Sequence, residues 1–170
     1  MRLLITPLAP AHAAQAARLH MAGQPGTFLT ALGEDVLTVI YRSLPVSAGC
    51  FGLAAETGAQ TPAFAALGAD ADVCAPTLLG YVSATTGIGG LFVAMATQRL
   101  GELAPPLLRR YAQQPALALR SAQTAIYPLF VHDDDGIPTA ELLSIMVEPA
   151  ARSQGVGGLL MAAFLQSCRN

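Results

Sequence analysis

Close to its C-terminal end the chain reads ELLSIMVEPAARSQGVGGLLMAAFLQSC, from Glu141 to Cys168. An apolar, β-branched run ends at Pro149. Arg152, Ser153, Gln154, Gly155, Val156, Gly157 and Gly158 follow, and then a second apolar run. The pattern predicts a strand, a glycine-rich turn and a helix. Such a turn aims several backbone N–H groups at one point, and the helix dipole adds partial positive charge there. Together they suit a phosphate or pyrophosphate. Gly155, Gly157 and Gly158 leave the backbone open to close approach by a ligand. Arg152 can add a charge-assisted contact. The plain alternative is a turn that joins a strand to a helix and binds nothing.

Three phosphate-binding patterns compete for this segment. The P-loop requires a lysine, and the chain has none: all 9 basic residues are arginine. The dinucleotide fingerprint GxGxxG, begun at Gly155, meets Leu160 where glycine or alanine belongs. The third pattern fits. Arg152 to Gly157 resembles the R/Q-x-x-G-x-G/A motif of the GNAT N-acetyltransferases. ELLSIMVEP resembles that superfamily's fourth strand, and GLLMAAFLQSC its following helix.

The resemblance implies an acetyl-CoA cosubstrate, no metal, and transfer of acetyl to a primary amine by direct attack. In that family the fourth strand splays from its neighbour, and pantetheine inserts like an added strand. Ile145, Met146 and Val147 would offer backbone groups to that arm. The loop of Arg152, Ser153, Gln154, Gly155, Val156, Gly157 and Gly158 would hold the pyrophosphate. Backbone N–H groups at a bulge in the strand would polarise the thioester carbonyl. Glu141 is the best-placed candidate for the base that takes the ammonium proton. The competing reading makes it a solvated strand-edge carboxylate.

Other polar residues read as less chemical. Ser144 orients a water or simply packs. His132 sits in an acidic turn with Asp133, Asp134, Asp135 and Gly136, which reads as solvated and lacks EF-hand spacing. His12 and His20 fall on the first helix and read as structural or exposed. Cys50, Cys74 and Cys168 are odd in number, widely spaced and outside any CxxC or Cys/His cluster. They read as reduced, mostly buried thiols of a cytoplasmic protein.

The elements that must position this segment are also legible. Leu3–Ile5 predicts a first strand. Pro7 and Pro10 mark a turn, and a helix runs through Ala13, Ala17 and His20 until Gly23, Pro25 and Gly26. A second helix follows Gly33, with Glu34 and Asp35 at its positive end. Val36, Val39, Ile40 and Leu44 form its apolar face, and Pro45 stops it. Cys50–Ala55 predicts a strand, Glu56–Ala75 a loose loop, and Thr77–Thr85 a central strand. The turn at Gly87, Gly89 and Gly90 leads to an insertion up to Tyr127. There Pro105, Pro106 and Pro115 punctuate three short helical pieces carrying Arg99, Arg109, Arg110 and Arg120. Phe92, Met95, Leu107, Leu108 and Tyr111 give it an apolar side for core packing, an acceptor pocket or an interface. The expected fold class is α/β: a GNAT-like mixed, mostly antiparallel sheet flanked by helices, with a helical insertion between the third and fourth strands.

Composition bounds the rest. The chain has 170 residues, 53% hydrophobic and 12% charged, with a formal net charge of -2. This suits a single, core-rich domain over 1–170 and gives no basic field for nucleic acid. The uncharged stretch Cys74–Gln98 is broken by four glycines, Pro76 and several hydroxyls, so it reads as a buried strand and not as a membrane span. Pro7 and Pro10 argue against a signal peptide. The family's fifth strand and beyond have no counterpart, so the domain is expected to be truncated. No residue then stands as the general acid, and an exposed edge strand favours a homodimer. The rival reading is a non-catalytic GNAT-like module that binds acyl-CoA or serves assembly. A third, a nucleotide-binding fragment, would be removed by competition with coenzyme A but not with NAD or ATP.

Overall fold

The computed structural model describes residues 3–57, 77–87, 95, 97–130 and 140–169. The predicted loop from residue 58 on, Cys74, the turn at Gly89 and Gly90, Phe92, His132 and Asp133 to Gly136 lie outside those residues. The described chain runs β1 (Leu3–Pro7), α1 (Ala13–Gly23), α2 (Phe28–Leu32), α3 (Glu34–Ser43), β2 (Cys50–Thr57) and β3 (Leu78–Thr85). It continues with α4 (Leu100–Gln113), α5 (Pro115–Phe130), β4 (Glu141–Val147) and α6 (Val156–Ser167). Short 3-10 turns precede α1, follow α3 and precede α6. Among the described residues no helix is long and apolar enough to cross a membrane.

The four strands form one sheet in the order β1-β2-β3-β4, and every pairing is antiparallel. The fold class is therefore α/β, an antiparallel sheet flanked by helices, with a helical insertion between the third and fourth strands. β3 is buried along its whole length, as its run of apolar residues on both faces requires. On one face α1 and α3 pack Ala16, Ala17, Val36, Leu37 and Tyr41 against Tyr81 and Met146. On the other face α6 packs Val156, Leu160 and Phe164 against Ala55, Val82 and Ala84. Phe164 also stacks on Phe51, with ring centroids 5.5 Å apart. The sheet is thus covered on both sides, and its edges are β1 and β4.

The structure adds one element and corrects one expectation. Between Gly26 and Gly33, where the sequence pattern marks no element, lies the short helix α2. Its N-cap is Thr27, whose hydroxyl accepts from the Thr30 amide. The insertion is not three pieces broken at Pro105 and Pro106. Helix α4 runs straight through both prolines and ends at Gln113, with Gln114 as its C-cap. Leu103, Leu107 and Tyr111, spaced four apart, keep one apolar stripe in the core across the prolines. Glu102 on α4 also pairs with Arg42 on α3 at 3.3 Å. Those tertiary contacts offset two lost backbone hydrogen bonds. The break falls before Pro115, where proline disfavours helical torsions in its predecessor and the Leu103, Leu107 and Tyr111 stripe no longer opposes it. Gln114 accordingly sits at φ -139, ψ 80.

The histidines of α1 and its leading turn are structural, as expected. His12 Nδ1 accepts from the Ala9 amide, and its Nε2 faces Glu56 Oε1 at 3.0 Å. Thr6 donates to the other oxygen of that carboxylate at 2.8 Å. This cluster ties β1 and the turn before α1 to the end of β2. Cys50 is half-buried, but Cys168 is exposed one residue past α6, against the expectation of buried thiols.

Candidate functional site

The glycine-rich turn lies where the edge strand β4 hands over to α6. Gly155 is the N-cap, with φ 80 and ψ 0, and Ser153 also adopts a positive φ of 62. Gly155 is needed for this left-handed backbone, which an L side chain resists. No side chain caps α6, and its first turn holds no carboxylate. The N–H groups of its first residues have no intrahelical acceptor. By contrast, α3 opens on Glu34 and Asp35, which offset the positive end of its dipole. The start of α6 therefore presents bare donors and uncompensated partial positive charge.

The room at the two following glycines differs. A Cβ at Gly157 would lie 3.6 Å from Val147 Cγ2, an ordinary contact. Alanine fits there without strain. A Cβ at Gly158 would meet nothing within 4 Å, so its surface is open. Val156 is buried and anchors the turn on the sheet, while Arg152, Ser153 and Gln154 are exposed.

Strand β4 brings a second feature to the same place. It pairs with β3 from Glu141↔Thr85 to Val147↔Gly80, and no described strand covers its other side. The Glu148 amide donates to the Leu79 carbonyl at 2.8 Å. Along an antiparallel ladder the hydrogen-bonded pairs alternate. Met146 and Ser144 therefore turn their backbone groups to β3, and Ile145 and Val147 turn theirs to the open edge. Of the three residues expected to offer backbone groups, Met146 is corrected: pairing register commits it to the sheet. Its side chain is buried in the core beneath α1.

Arg152 links the two features. Its Nε donates to the Val147 carbonyl at 3.1 Å, so the guanidinium lies across the junction of edge and turn. Gln154 turns back instead, and its Nε2 donates to the Ala150 carbonyl at 2.8 Å. Glu141 stands exposed at the opposite end of β4, six residues from Val147. At the usual rise per residue that is about 20 Å along the strand. Glu141 thus shares the strand with the turn and Arg152 but is not gathered with them.

Between those ends β4 carries a bulge. The register with β3 steps from Ser83↔Ser144 to Ala84↔Leu142, which leaves Leu143 unpaired. Directly under it lies a group of buried hydroxyls that sequence reading did not connect. Tyr81 donates to Tyr41 at 2.6 Å, and Ser144 donates to Tyr81 at 3.3 Å. The Tyr41 and Ser144 oxygens are 3.1 Å apart. Ser83 Oγ lies 3.2 Å from Ser144 Oγ, and His20 Nδ1 lies 2.7 Å from the Tyr41 oxygen. Burial lowers the His20 pKa from its ordinary value, because water no longer stabilises the imidazolium. Burial likewise raises those of Tyr41 and Tyr81. All three are uncharged at neutral pH. The sequence signal for this group was the run of polar residues on a strand buried on both faces, Tyr81, Ser83 and Thr85.

No family model matches the chain. No curated protein matches it. Among solved structures, the crystal structure of Arabidopsis thaliana NAA60 in complex with acetyl-CoA aligns with a TM-score of 0.48 and 11% identity. The alignment covers 98% of this chain and 67% of that one.

Proposed function

We propose that this chain is an acyl-CoA-dependent N-acetyltransferase that moves acetyl from acetyl-CoA to a primary amine by direct attack. One observation carries the reading: the bare N-terminus of α6 and the open backbone edge of β4 meet at Val147 and Arg152. An acyl-CoA has a pyrophosphate for the first and an amide-bearing arm for the second. The donors of the α6 turn would hold the pyrophosphate, with the Arg152 guanidinium beside it. Ile145 and Val147 would pair with the amides of the arm as a neighbouring strand does. The arm then runs toward the bulge, where backbone N–H groups aimed at the carbonyl oxygen would stabilise the developing oxyanion. Glu141, exposed farther along the same strand, is the proposed base for the ammonium proton. When bound, the thioester supplies the activated acyl group. The carbonyl carbon gains the amine nitrogen and loses the thiolate sulfur, which takes up a proton.

Acetyl-CoA titration followed by thermal melting tests this reading. Ligand at a hundred times its dissociation constant should raise stability by about 2.7 kcal/mol, or the melting temperature by about 5–10 °C. Gly157→Glu, which puts a carboxylate into the turn, should abolish the rise. No rise in the unaltered protein at saturating ligand refutes the proposal. Binding without turnover on a panel of amines moves the reading to a non-catalytic acyl-CoA-binding module. We also propose a homodimer, on the exposed Leu142 of the edge strand and the exposed Leu159 and Leu165 of α6. Sedimentation showing a monomer at all concentrations would remove it.

A further inference from the structure

We infer that Tyr41 is a positioning residue for acetyl transfer: it closes a ring of three buried hydroxyls that pins the β4 bulge. The inference rests on the acetyl-CoA reading and adds to it residues from outside the strand and the turn.

Counting protons fixes the ring. Ser144 gives its proton to Tyr81, and Tyr81 gives its own to Tyr41. Each hydroxyl has one proton. The 3.1 Å contact between Tyr41 and Ser144 is then a hydrogen bond if Tyr41 donates, which closes the circle. The two outer contacts must donate into it, from the Ser83 hydroxyl and from His20 Nδ1–H. This assignment uses every contact once. It leaves His20 Nε2 as a bare acceptor, and that atom is buried without a partner among the described residues. The opposite tautomer would bury an unpaired N–H instead.

The ring spans three elements: Tyr41 on α3, Tyr81 on β3 and Ser144 on β4. Tyr41 and Tyr81 also meet edge to face, with centroids 5.0 Å apart. Ser144 adjoins the unpaired Leu143, where the ladder no longer holds β4 to β3. A bulge is the place where a strand's backbone is least constrained. The side chain of Ser144 supplies the missing restraint from below, through two rigid phenols. Stability alone is a weak reason for such a ring, since apolar side chains of the same shape can serve a core as well. A fixed direction for the bulge amides is what the ring adds. In the proposed reaction those amides meet the acetyl carbonyl, an atom that coenzyme A lacks.

The test is therefore a ratio. Calorimetric affinities for acetyl-CoA and for coenzyme A are measured on the full chain, with and without Tyr41→Phe. Ser144→Ala is the second variant, for the case in which the first fails to fold. Unaltered protein should bind acetyl-CoA more tightly than coenzyme A. Either variant should weaken acetyl-CoA about fivefold and leave coenzyme A within about twofold. A general loosening of the fold would weaken both ligands alike. Equal affinities in the unaltered protein, a ratio unchanged in the variants, or both affinities falling together overturns the inference. Binding of neither ligand by the unaltered protein refutes the acetyl-CoA reading itself and the inference with it.

Discussion

Gly80→Ala adds one methyl group to β3 at a point where both β4 and α6 lie against it. A Cβ at this position would lie 2.7 Å from the Met146 carbonyl oxygen, 3.2 Å from Leu160 Cδ1 and 3.3 Å from Val147 Cα. Two of those neighbours are backbone and cannot swing aside. Leu160 is fully buried under the sheet, so it has little room to yield. The new methyl must push β4 outward or lift α6. Overpacking of this kind costs about 1–3 kcal/mol. Alanine returns about 0.5–1 kcal/mol through its lower backbone entropy in the unfolded chain. The net loss centres on about 1 kcal/mol and reaches about 2.5 kcal/mol at most, which for a chain of this length lowers the melting temperature by about 2–4 °C, and by about 10 °C at most. Thermal unfolding followed by circular dichroism reads it directly. Gly157→Ala is the internal comparison, because its Cβ finds an ordinary 3.6 Å contact in a helical turn. It should keep or raise the melting temperature, as alanine is the better helix former. A Gly80→Ala protein as stable as the original, or a Gly157→Ala protein that loses as much, would refute the packing argument. Acetyl-CoA binding should fall in Gly80→Ala as well, since the shifted residues include Val147 on the open edge.

Other perturbations have equally definite outcomes. Gly155→Ala forces an L side chain to φ 80, which costs about 1–2 kcal/mol; a lower melting temperature and weaker acetyl-CoA binding are both expected. Leu160→Ala empties a fully buried site between α6 and the sheet, and should cost about 2–5 kcal/mol in denaturant titration. His20 carries a pH effect whose sign follows from its lowered pKa. The unfolded chain takes up a proton near the ordinary value of 6.5, while the folded chain resists it. Stability should therefore be unaffected by His20 above that pH and fall as pH drops below it. Melting temperatures measured from pH 7.5 to 5 should show this decline, and a shallower one in His20→Gln. An equal slope in both proteins would show that His20 is not its source.

The candidate site was legible in part because its key signals are local. Gly155 marks a left-handed N-cap, and the apolar run to Val147 marks a strand ending where the turn begins. Such features depend on torsions and on neighbours a few residues apart, which the order of residues determines directly. The strands at Leu3, Cys50, Thr77 and Glu141 were legible for the same reason, as were the helices after Pro10 and Gly33. The reading failed where distant contacts outweigh local preference. Pro105 and Pro106 ought to break a helix, yet Leu103, Leu107 and Tyr111 hold it together against α3. Met146 looked equivalent to Ile145 and Val147 until pairing with β3 assigned alternate residues to opposite sides. The hydroxyl ring joins residues 40, 63 and 103 positions apart, a meeting that no spacing in the sequence announces. By itself the sequence determined most of the segments that form strands and helices and where a glycine-rich turn opens the last helix. The tertiary structure alone decided which backbone groups face the open edge and which side chains fix the bulge. Those depend on pairing register and burial, which exist only once the sheet has closed against its helices.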